Sequence, residues 1–351
     1  MIPYYIFLVI IIFFAFLSSK SPKSKILLYV TLAVMVLFAG LRDAEVGTDA
    51  ASYARTYSEN TRSIEGEWEE QLTKEAGYFY FTQLLGSISR EYVVLFIGID
   101  FLTYMCVLTV IRRETKELVV PIFVFVTLGL YTFVFNAARQ GIAVGVYMLS
   151  FKYLFDNGKN GFLKYSAVVL LAALFHKTVI IALPLFFLFR LQYSPRMVVL
   201  IGLIGAGIGA VLPAFLSYAG TLEQRYVLYT TTAGGGEMLT LFYVLITVFF
   251  IYWRRKIDKG YLQRYDVYLN MMLFGTLIYV VVQIYGVYIE LTRFAAYFQV
   301  ACIFLWAFIY QSKKKPNSAL SVTIIIGHLL FYYIFCSKMA NLTPYMLNPN
   351  L

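Results

Sequence analysis

The stretch Phe135-Asn136-Ala137-Ala138-Arg139-Gln140 interrupts an otherwise uncharged run from Leu118 to Phe151, in which Arg139 is the only charge. Because one membrane-spanning helix needs about 20 residues, this longer run predicts two helices joined near Asn136. A guanidinium at such a junction, with no soluble loop around it, must face water or an anionic partner at the membrane surface. The alternative is an arginine that snorkels to the interface and only marks the turn.

The composition of the chain is that of an integral membrane protein. Of its 351 residues, 60% are hydrophobic and only 14% are charged, which is typical of polytopic membrane proteins. We therefore expect an all-α bundle in which residues 1–351 form a single transmembrane domain. Cys106, Cys302 and Cys336 form no CxxC pair, so neither a disulfide framework nor a zinc site is predicted.

The formal net charge of +10 suggests either a nucleic-acid partner or positively charged cytoplasmic loops. The basic residues are dispersed over short connections between apolar segments instead of forming one patch. Cytoplasmic loops of membrane proteins carry such an excess, so no nucleic-acid partner is expected. The basic connections are 18–25, 112–117, 152–164, 190–196, 253–264 and 311–316.

Hydropathy predicts about twelve transmembrane helices. With the basic connections in the cytoplasm, both termini face outward, and residues 42–90 and 218–237 form extracytoplasmic segments. The start of the chain lacks the basic region of a signal peptide, which favours a retained first helix. The predicted spans are 2–18, 25–41, 91–111, 118–135, 138–155, 162–175, 177–190, 196–217, 238–253, 265–286, 291–310 and 319–336.

In this topology an unusual set of polar residues falls on the outer side, although separate parts of the chain supply them. Arginines at helix ends around a common cavity suit a phosphate or pyrophosphate, because the planar guanidinium binds such oxygens in bidentate fashion. For the acidic members, a solvated loop with a helix cap is the alternative. The set comprises Arg42, Asp49, Arg139, Gln140, His176, Arg225 and Arg293.

The two histidines have different surroundings. His176 lies between two apolar segments, and a histidine exchanges protons near neutral pH, which suits proton removal from a hydroxyl. A hydrogen-bonded structural residue is the alternative there, and His328, inside a predicted span, is interpreted as core. Asp100, also inside a span, is either a buried polar contact or part of a water-filled cavity. Because neither DxD nor HExxH occurs, no metal or cofactor is predicted.

Short motifs, taken in chain order, resemble the EpsG-type, Wzy-like polysaccharide polymerases of bacterial exopolysaccharide and capsule assembly. The ordered set covers nearly the whole chain. Thr178 replaces the small residue that usually follows the pair His176-Lys177, which is a mild departure from the family pattern. The matching pieces are Arg42 with Val46-Gly47-Thr48-Asp49 and Tyr53, Asn136-Ala137-Ala138-Arg139-Gln140, Leu174-Phe175-His176-Lys177-Thr178 with Pro184, Arg293 with Tyr297-Phe298, and Pro344-Tyr345.

The resemblance implies a membrane glycosyltransferase at the outer face of the bacterial cytoplasmic membrane. An undecaprenyl-pyrophosphate-linked oligosaccharide repeat unit is the donor and another is the acceptor, in contact with membrane lipid. A flippase and a chain-length regulator are candidate partners. His176 or Asp49 is the expected base for the acceptor hydroxyl. The predicted substrate-binding residues are Arg139, Arg293, Arg42, Arg225, Gln140, Asn136 and Tyr53, with the arginines assigned to the pyrophosphate.

Two other functions fit parts of this pattern. A flippase or transporter for the lipid-linked oligosaccharide would place its binding groups near the midplane and often shows repeats, whereas here the polar residues gather at one face. A ligase or acyltransferase acting on polysaccharide shares the chemistry and is hardly separable by sequence. A polymerase yields a ladder of repeat lengths, and a ligase yields a single transfer.

Overall fold

The regular structure of the described residues is helical. The computed structural model describes residues 1–21, 25–60, 68–156, 158, 160–222, 236–286 and 289–349. Among these residues the β pairing is limited to one isolated antiparallel bridge between Arg42 and Leu347. The predicted all-α class is therefore confirmed for the described part of the chain.

The α-helices vary widely in length, and several continue into 3-10 turns. The α-helices are α1 Ile2–Lys20, α2 Lys25–Gly40, α3 Ala50–Asn60, α4 Trp68–Gly86, α5 Tyr92–Glu114, α6 Val119–Thr127, α7 Phe133–Asn136, α8 Ala138–Met148, α9 Gly161–Ala173, α10 Ala182–Phe189, α11 Pro195–Leu222, α12 Glu237–Trp253, α13 Lys259–Tyr285, α14 Ala296–Gln299, α15 Ala301–Gln311 and α16 Ser318–Ile334. The 3-10 helices are Leu149–Phe155, Lys177–Ile181, Arg254–Lys256 and Ile289–Ala295, and a π turn covers Phe335–Met339.

Seven helices of the described chain are long and apolar enough to cross a membrane. They make the chain a candidate multi-pass membrane protein, whereas the predicted bundle of about twelve spans is not confirmed. The apolar helices Lys25–Gly40, Gly161–Ala173 and Lys177–Phe189 fall short of this length. The seven candidate spans are Ile2–Lys20, Tyr92–Glu114, Pro195–Leu212, Glu237–Lys256, Lys259–Tyr285, Leu291–Gln311 and Ser318–Met339.

The main departure from prediction lies in the apolar run 118–155. Helix α6 ends at Thr127, Gly129 adopts a left-handed φ of 72°, and α7 has only four residues. A Cβ on Gly129 would overlap the ring of Phe335, so this turn needs glycine on two counts. Irregular backbone is tolerated at membrane depth where protein surrounds it, and a hydropathy window cannot detect such breaks.

Tyr131, in the turn between α6 and α7, links three other helices. Its ring stacks on Phe7 of α1 at 4.8 Å and on Tyr104 of α5 at 4.7 Å. Its hydroxyl donates a 2.7 Å hydrogen bond to the carbonyl of Met35 in α2. The side chain is fully buried, so this break in the helix is part of the core.

The chain divides into two compact units: residues Met1–Leu183 with Pro316–Leu351, and residues Pro184–Lys315. The single transmembrane domain expected from the sequence stays a prediction. In the second unit, α13 is the most enclosed of the long helices after Leu291–Gln311. Its Asp266 accepts bonds of 2.6 and 2.7 Å from Arg254, and its Asn270 donates to the carbonyls of Phe189 and Leu191.

In the first unit, a C-terminal segment (residues 340–349) lies against the loop that follows α2. The amide of Asp43 donates to Met346, and the amide of Asn348 donates to Leu41. The hydroxyl of Tyr4, near the start of α1, donates to Leu342 at 2.6 Å. Both ends of the described chain therefore lie at the same end of this unit. Which side of a membrane that end faces stays a prediction.

Candidate functional site

A kink in α4 brings this helix against the end of α9. Glu75 interrupts α4 with non-helical angles (φ −154°, ψ 79°). The amides of Gly77 and Tyr78 then donate to the carbonyl of Leu174 at 2.9 and 3.3 Å. A Cβ on Gly77 would lie 2.7 Å from the Cβ of Leu174, so only glycine permits this approach. The contact places Glu75 beside His176, two residues beyond Leu174.

Glu75 joins the two most prominent polar residues predicted from the sequence. Its Oε2 accepts a 2.8 Å ion-pair bond from the guanidinium of Arg139, and its Oε1 lies 2.5 Å from Nδ1 of His176. The carboxyl side chain is 10% exposed, whereas Arg139 is 41% and His176 25% exposed. We call these three residues the Glu75 cluster. Its two cationic or basic members remain accessible to a ligand, and its carboxylate lies behind them.

The ionisation state of Glu75 determines which ring nitrogen of His176 carries a proton. Burial by itself would raise the pKa of Glu75, but the hydrogen bond from His176 and the charge of Arg139 outweigh it, and the pKa is lowered from 4.5. Glu75 is therefore a carboxylate at neutral pH, and a carboxylate only accepts hydrogen bonds. Nδ1 of His176 must carry the proton that it shares with Glu75. This leaves Nε2 as the nitrogen that can accept a proton.

Two tyrosines surround the guanidinium of Arg139. Tyr53 of α3 is hydrogen-bonded to it, and the ring of Tyr78 in α4 lies 6.0 Å away. The two rings meet edge to face at 6.4 Å. Burial raises the pKa of Tyr78 well above its ordinary value, so this phenol stays neutral. The predicted residue Tyr53 is thus at the same place as Arg139, beside the aromatic ring of Tyr78.

Asn136 has a bridging role just ahead of Arg139. Its Oδ1 accepts from the amide of Thr48 at 2.7 Å, and its Nδ2 donates to the carbonyl of Ala340 at 2.9 Å. Gly47 permits the first contact, because it has φ 122° and its Cβ would lie 2.7 Å from Oδ1. Asn136 thereby joins the start of α8 to the loop after α2 and to the C-terminal segment. Substrate contact by Asn136 stays a prediction.

Arg42 is enclosed by the protein. Its guanidinium lies between the rings of Phe96 and Phe135, at 4.1 and 3.9 Å. One of its nitrogens pairs with Asp100 at 3.2 Å and donates to the carbonyl of Ala39. Asp100 is thus a buried polar contact, one of the two alternatives left by the sequence. Arg42 is only 2% exposed, and its predicted role in substrate binding is not used in our proposal.

The structure also shows where the remaining predicted residues lie, except for Arg225. Asp49 directly precedes α3, and its carbonyl accepts from the amide of Tyr53 at 3.1 Å. Gln140 is buried in α8 at 6% exposure. Arg293 is half-buried in the 3-10 helix Ile289–Ala295 of the second unit, and Arg225 lies outside the described residues. Their roles stay predictions.

His328 is a core residue, as the sequence interpretation held. It is 4% exposed, its Nδ1 lies 2.8 Å from the hydroxyl of Thr127, and its ring lies 5.4 Å from that of Phe123. In the described part of the chain, no group of three or more His, Cys, Asp or Glu side chains could hold a metal ion. Independence from metal ions stays a prediction.

Sequence reasoning missed Glu75 as a site residue, because it closes an acidic run that resembles a solvated loop. One signal pointed to this run: an arginine in an apolar stretch needs a counter-ion, and the run is acidic. That argument cannot select one glutamate among several. The choice depends on the kink at Glu75 and on the close contact of Gly77 with Leu174.

The fold and the site define a class: a multi-pass, all-helical membrane protein with a polar cluster at one end of its first unit. The chain belongs to the EpsG family, whose family model matches residues 25–347. No curated protein and no solved structure matches the chain. Membership suggests a role in polysaccharide polymerisation and implies lipid-linked saccharide substrates in general. The matched region contains the entire Glu75 cluster.

Proposed function

We propose that the protein polymerises undecaprenyl-pyrophosphate-linked oligosaccharide repeat units at the outer face of the bacterial cytoplasmic membrane. The observation that carries this proposal is the Glu75 cluster, in which one buried carboxylate holds an accessible arginine and an accessible histidine. A glycosyl transfer from a lipid pyrophosphate needs both functions: a cation for the leaving group and a base for the acceptor. Membership of the EpsG family supports a lipid-linked saccharide as the class of substrate.

The proposed reaction is a single glycosyl transfer. The hydroxyl oxygen of the acceptor attacks the anomeric carbon of the donor, and a new glycosidic C–O bond forms. The bond between that carbon and the pyrophosphate oxygen breaks, and its electron pair leaves with undecaprenyl pyrophosphate. The hydroxyl proton passes to Nε2 of His176. Proton release to water then regenerates the neutral imidazole for the next transfer.

Arg139 is the proposed pyrophosphate ligand. Its side chain is 41% exposed, and it lies in the first turn of α8, at the end of the unit where the loop after α2 and the C-terminal segment meet. A guanidinium there suits the phosphates of a lipid headgroup, because its forked N–H groups match paired phosphate oxygens. Stabilising the charge that develops on a leaving group is usually the largest catalytic effect. Arg293 and Arg225 remain additional candidates for this role.

His176 is the proposed base, and Asp49 is the alternative. The hydrogen bond to Glu75 fixes the imidazole with Nδ1 protonated, in the manner of the carboxylate–histidine pairs that activate hydroxyl groups elsewhere. The side chain is 25% exposed, so an acceptor can reach Nε2. Tyr53 and Tyr78 offer aromatic faces beside Arg139, against which the C–H faces of a sugar ring can pack.

A lipid-linked oligosaccharide flippase is the second candidate function. Transporters of this kind bind substrate near the membrane midplane, whereas Arg139 and His176 lie at helix ends. This location favours the polymerase. A polysaccharide ligase or acyltransferase uses related chemistry and is separated by its product.

The proposal is tested with purified protein in lipid vesicles that contain undecaprenyl-pyrophosphate-linked repeat units from the source strain. A ladder of repeat lengths, with undecaprenyl pyrophosphate released in proportion, supports the polymerase. One transfer per acceptor would indicate a ligase, and movement of the lipid across the vesicle without new bonds would indicate a flippase. His176→Ala and Asp49→Ala identify the base, and full activity in both variants would refute the assignment of either residue.

A further inference from the structure

One carboxylate in the Glu75 cluster serves two partners. Oε2 of Glu75 bonds the guanidinium of Arg139 at 2.8 Å, and Oε1 bonds Nδ1 of His176 at 2.5 Å. Each oxygen thus has its own partner, and the carboxylate itself is only 10% exposed. The negative charge of Glu75 is consequently divided between a group suited to the donor phosphate and a group suited to the acceptor hydroxyl.

We propose that Glu75 is a positioning residue that couples donor binding at Arg139 to activation of the acceptor by His176. This inference rests on the proposed function. When the donor pyrophosphate binds Arg139, the phosphate oxygens neutralise much of the guanidinium charge. The charge of Glu75 is then compensated less by Arg139 and acts more strongly on the imidazole. His176 becomes a better proton acceptor at the moment when a donor is in place.

The physical basis is the effect of neighbouring charges on a titrating group. A nearby negative charge favours the protonated form of an imidazole, and a nearby positive charge disfavours it. In the free protein Arg139 offsets Glu75, and in the donor complex the phosphate offsets Arg139. The proton taken from the acceptor stays on Nε2, and the Nδ1 proton stays in its bond to Glu75, so Glu75 itself is never protonated.

Among the residues that the structure describes, other groups around the cluster do not replace Glu75 in this role. Tyr53 of α3 interacts with Arg139, Tyr78 of α4 interacts with both Arg139 and Glu75, and Tyr57 of α3 interacts with Tyr78. Burial keeps the phenols of Tyr57 and Tyr78 neutral by raising their pKa. Glu75 is the carboxylate whose bonds to both Arg139 and His176 the structure defines.

The first test measures binding of undecaprenyl pyrophosphate to the full-length protein in nanodiscs. Glu75→Gln removes the carboxylate that competes for Arg139, so we expect binding about two- to fivefold tighter than wild type, the range of a partly exposed ion pair. Glu45→Gln is the matched control, since it makes the same exchange at an exposed glutamate of the same segment, and its affinity should equal that of wild type. Weaker binding by Glu75→Gln would overturn the proposal, because Glu75 would then merely hold Arg139 in place.

The second test measures turnover in a double-mutant cycle. We expect Glu75→Gln and His176→Ala each to lower the rate of repeat addition about 100-fold, the lower range for general base catalysis. The double variant should be no slower than His176→Ala, because Glu75 acts through His176. If the rate losses of the two single variants multiplied in the double variant, the proposal would be overturned. Glu75→Asp retains the charge, and we expect it to keep more activity than Glu75→Gln at equal membrane abundance.

The two tests separate failure of this inference from failure of the proposed function. If Arg139→Ala bound undecaprenyl pyrophosphate as tightly as wild type, the pyrophosphate role of Arg139 itself would be wrong and the coupling with it. A different set of results would leave the site intact and refute only the coupling. In that case Arg139→Ala would lose binding, Glu75→Gln would bind more weakly than wild type, and the rate losses of Glu75→Gln and His176→Ala would multiply in the double variant.

Discussion

The carboxylate of Glu75 accepts a 2.5 Å hydrogen bond from Nδ1 of His176, which follows it by 101 residues in the chain. The same carboxylate holds Arg139 at 2.8 Å. Helix α4, helix α8 and the connection between α9 and the 3-10 helix Lys177–Ile181 thus deliver one charged or basic side chain each to a single place. Such a cluster can bind an anion and accept a proton at the same time, which is what a transfer from a lipid pyrophosphate requires.

Gly77 controls the position of Glu75. In Gly77→Ala the new Cβ would lie 2.7 Å from the Cβ of Leu174 and 3.0 Å from its carbonyl carbon, so α4 must move away from the end of α9. We expect a destabilisation of about 1–3 kcal/mol, as for other overpacked sites, and a loss of polymer because Glu75 no longer reaches His176. Thermal unfolding in detergent and the length of the polymer measure both effects.

Gly327→Ala is the matched control for that exchange. Gly327 lies in α16 of the same unit, and a Cβ there would meet nothing within 4 Å. Its stability should be unchanged or slightly higher, because alanine is the better helix former. Equal behaviour of the two variants would contradict the steric account of Gly77.

Asn136 links the C-terminal segment to the start of α8 by a hydrogen bond. Asn136→Ala removes the bonds to the amide of Thr48 and to the carbonyl of Ala340, and a typical hydrogen bond contributes about 0.5–1.5 kcal/mol to stability. We expect faster hydrogen exchange at the amide of Gly47, which donates to Asn341. Asn317→Ala removes a cap at the start of α16 and should leave that exchange unchanged. If hydrogen exchange at Gly47 were unaltered in Asn136→Ala, this linking role of Asn136 would be refuted.

The buried pair of Arg42 and Asp100 distinguishes a structural arginine from a substrate ligand. Arg42→Ala leaves Asp100 buried and uncompensated, which typically costs about 3–5 kcal/mol, so we expect little protein in the membrane. Combining Arg42→Met with Asp100→Leu replaces both charges by apolar groups and should restore abundance. If this abundant double variant makes polymer of normal length, Arg42 is structural. If it makes none, the predicted contact of Arg42 with substrate is supported instead.

The lowered pKa of Glu75 sets a pH window for its contribution to stability. A carboxyl group whose pKa is lower in the folded protein stabilises it above the unfolded value, and this contribution is lost as the pH falls through the folded value. The unfolded value is 4.5. The difference in melting temperature between wild type and Glu75→Gln should therefore persist from about pH 7 to pH 5 and shrink only below it. A difference that disappears between pH 7 and 5 would contradict the assignment.

Apolar length was sufficient to locate most helices in advance. The spans expected at 2–18 and 238–253 correspond to Ile2–Lys20 and Glu237–Trp253. Apolar length failed to predict the helices in residues 118–155, because the helical backbone there is interrupted at Gly129 and by the 3-10 helix Leu149–Phe155. A hydropathy window averages over such breaks, and their partners, such as Phe335, lie far away in the sequence.

The site was predictable only in part. Arg139 and His176 stood out, because charges and histidines are rare in apolar segments, whereas Tyr53 was named from the family resemblance. The structure links Arg139 both to Glu75 and to Tyr53. Arg42 stood out for the same reason, yet it pairs with Asp100, which lies 58 residues away in the chain, and the pair is buried. Rarity shows that a polar residue needs a partner, and the fold determines whether that partner is protein or ligand.

The most direct test of the central claim is the chain length of lipid-linked and surface polysaccharide in cells that carry Arg139→Ala. Arg90→Ala, an exposed arginine of the segment before α5, is the matched control, and membrane abundance is measured for both. We expect Arg139→Ala to be abundant and to leave single repeat units on the lipid, while Arg90→Ala gives the wild-type ladder. An unchanged ladder in Arg139→Ala would contradict the account, because Arg139 would then only mark a turn in the membrane.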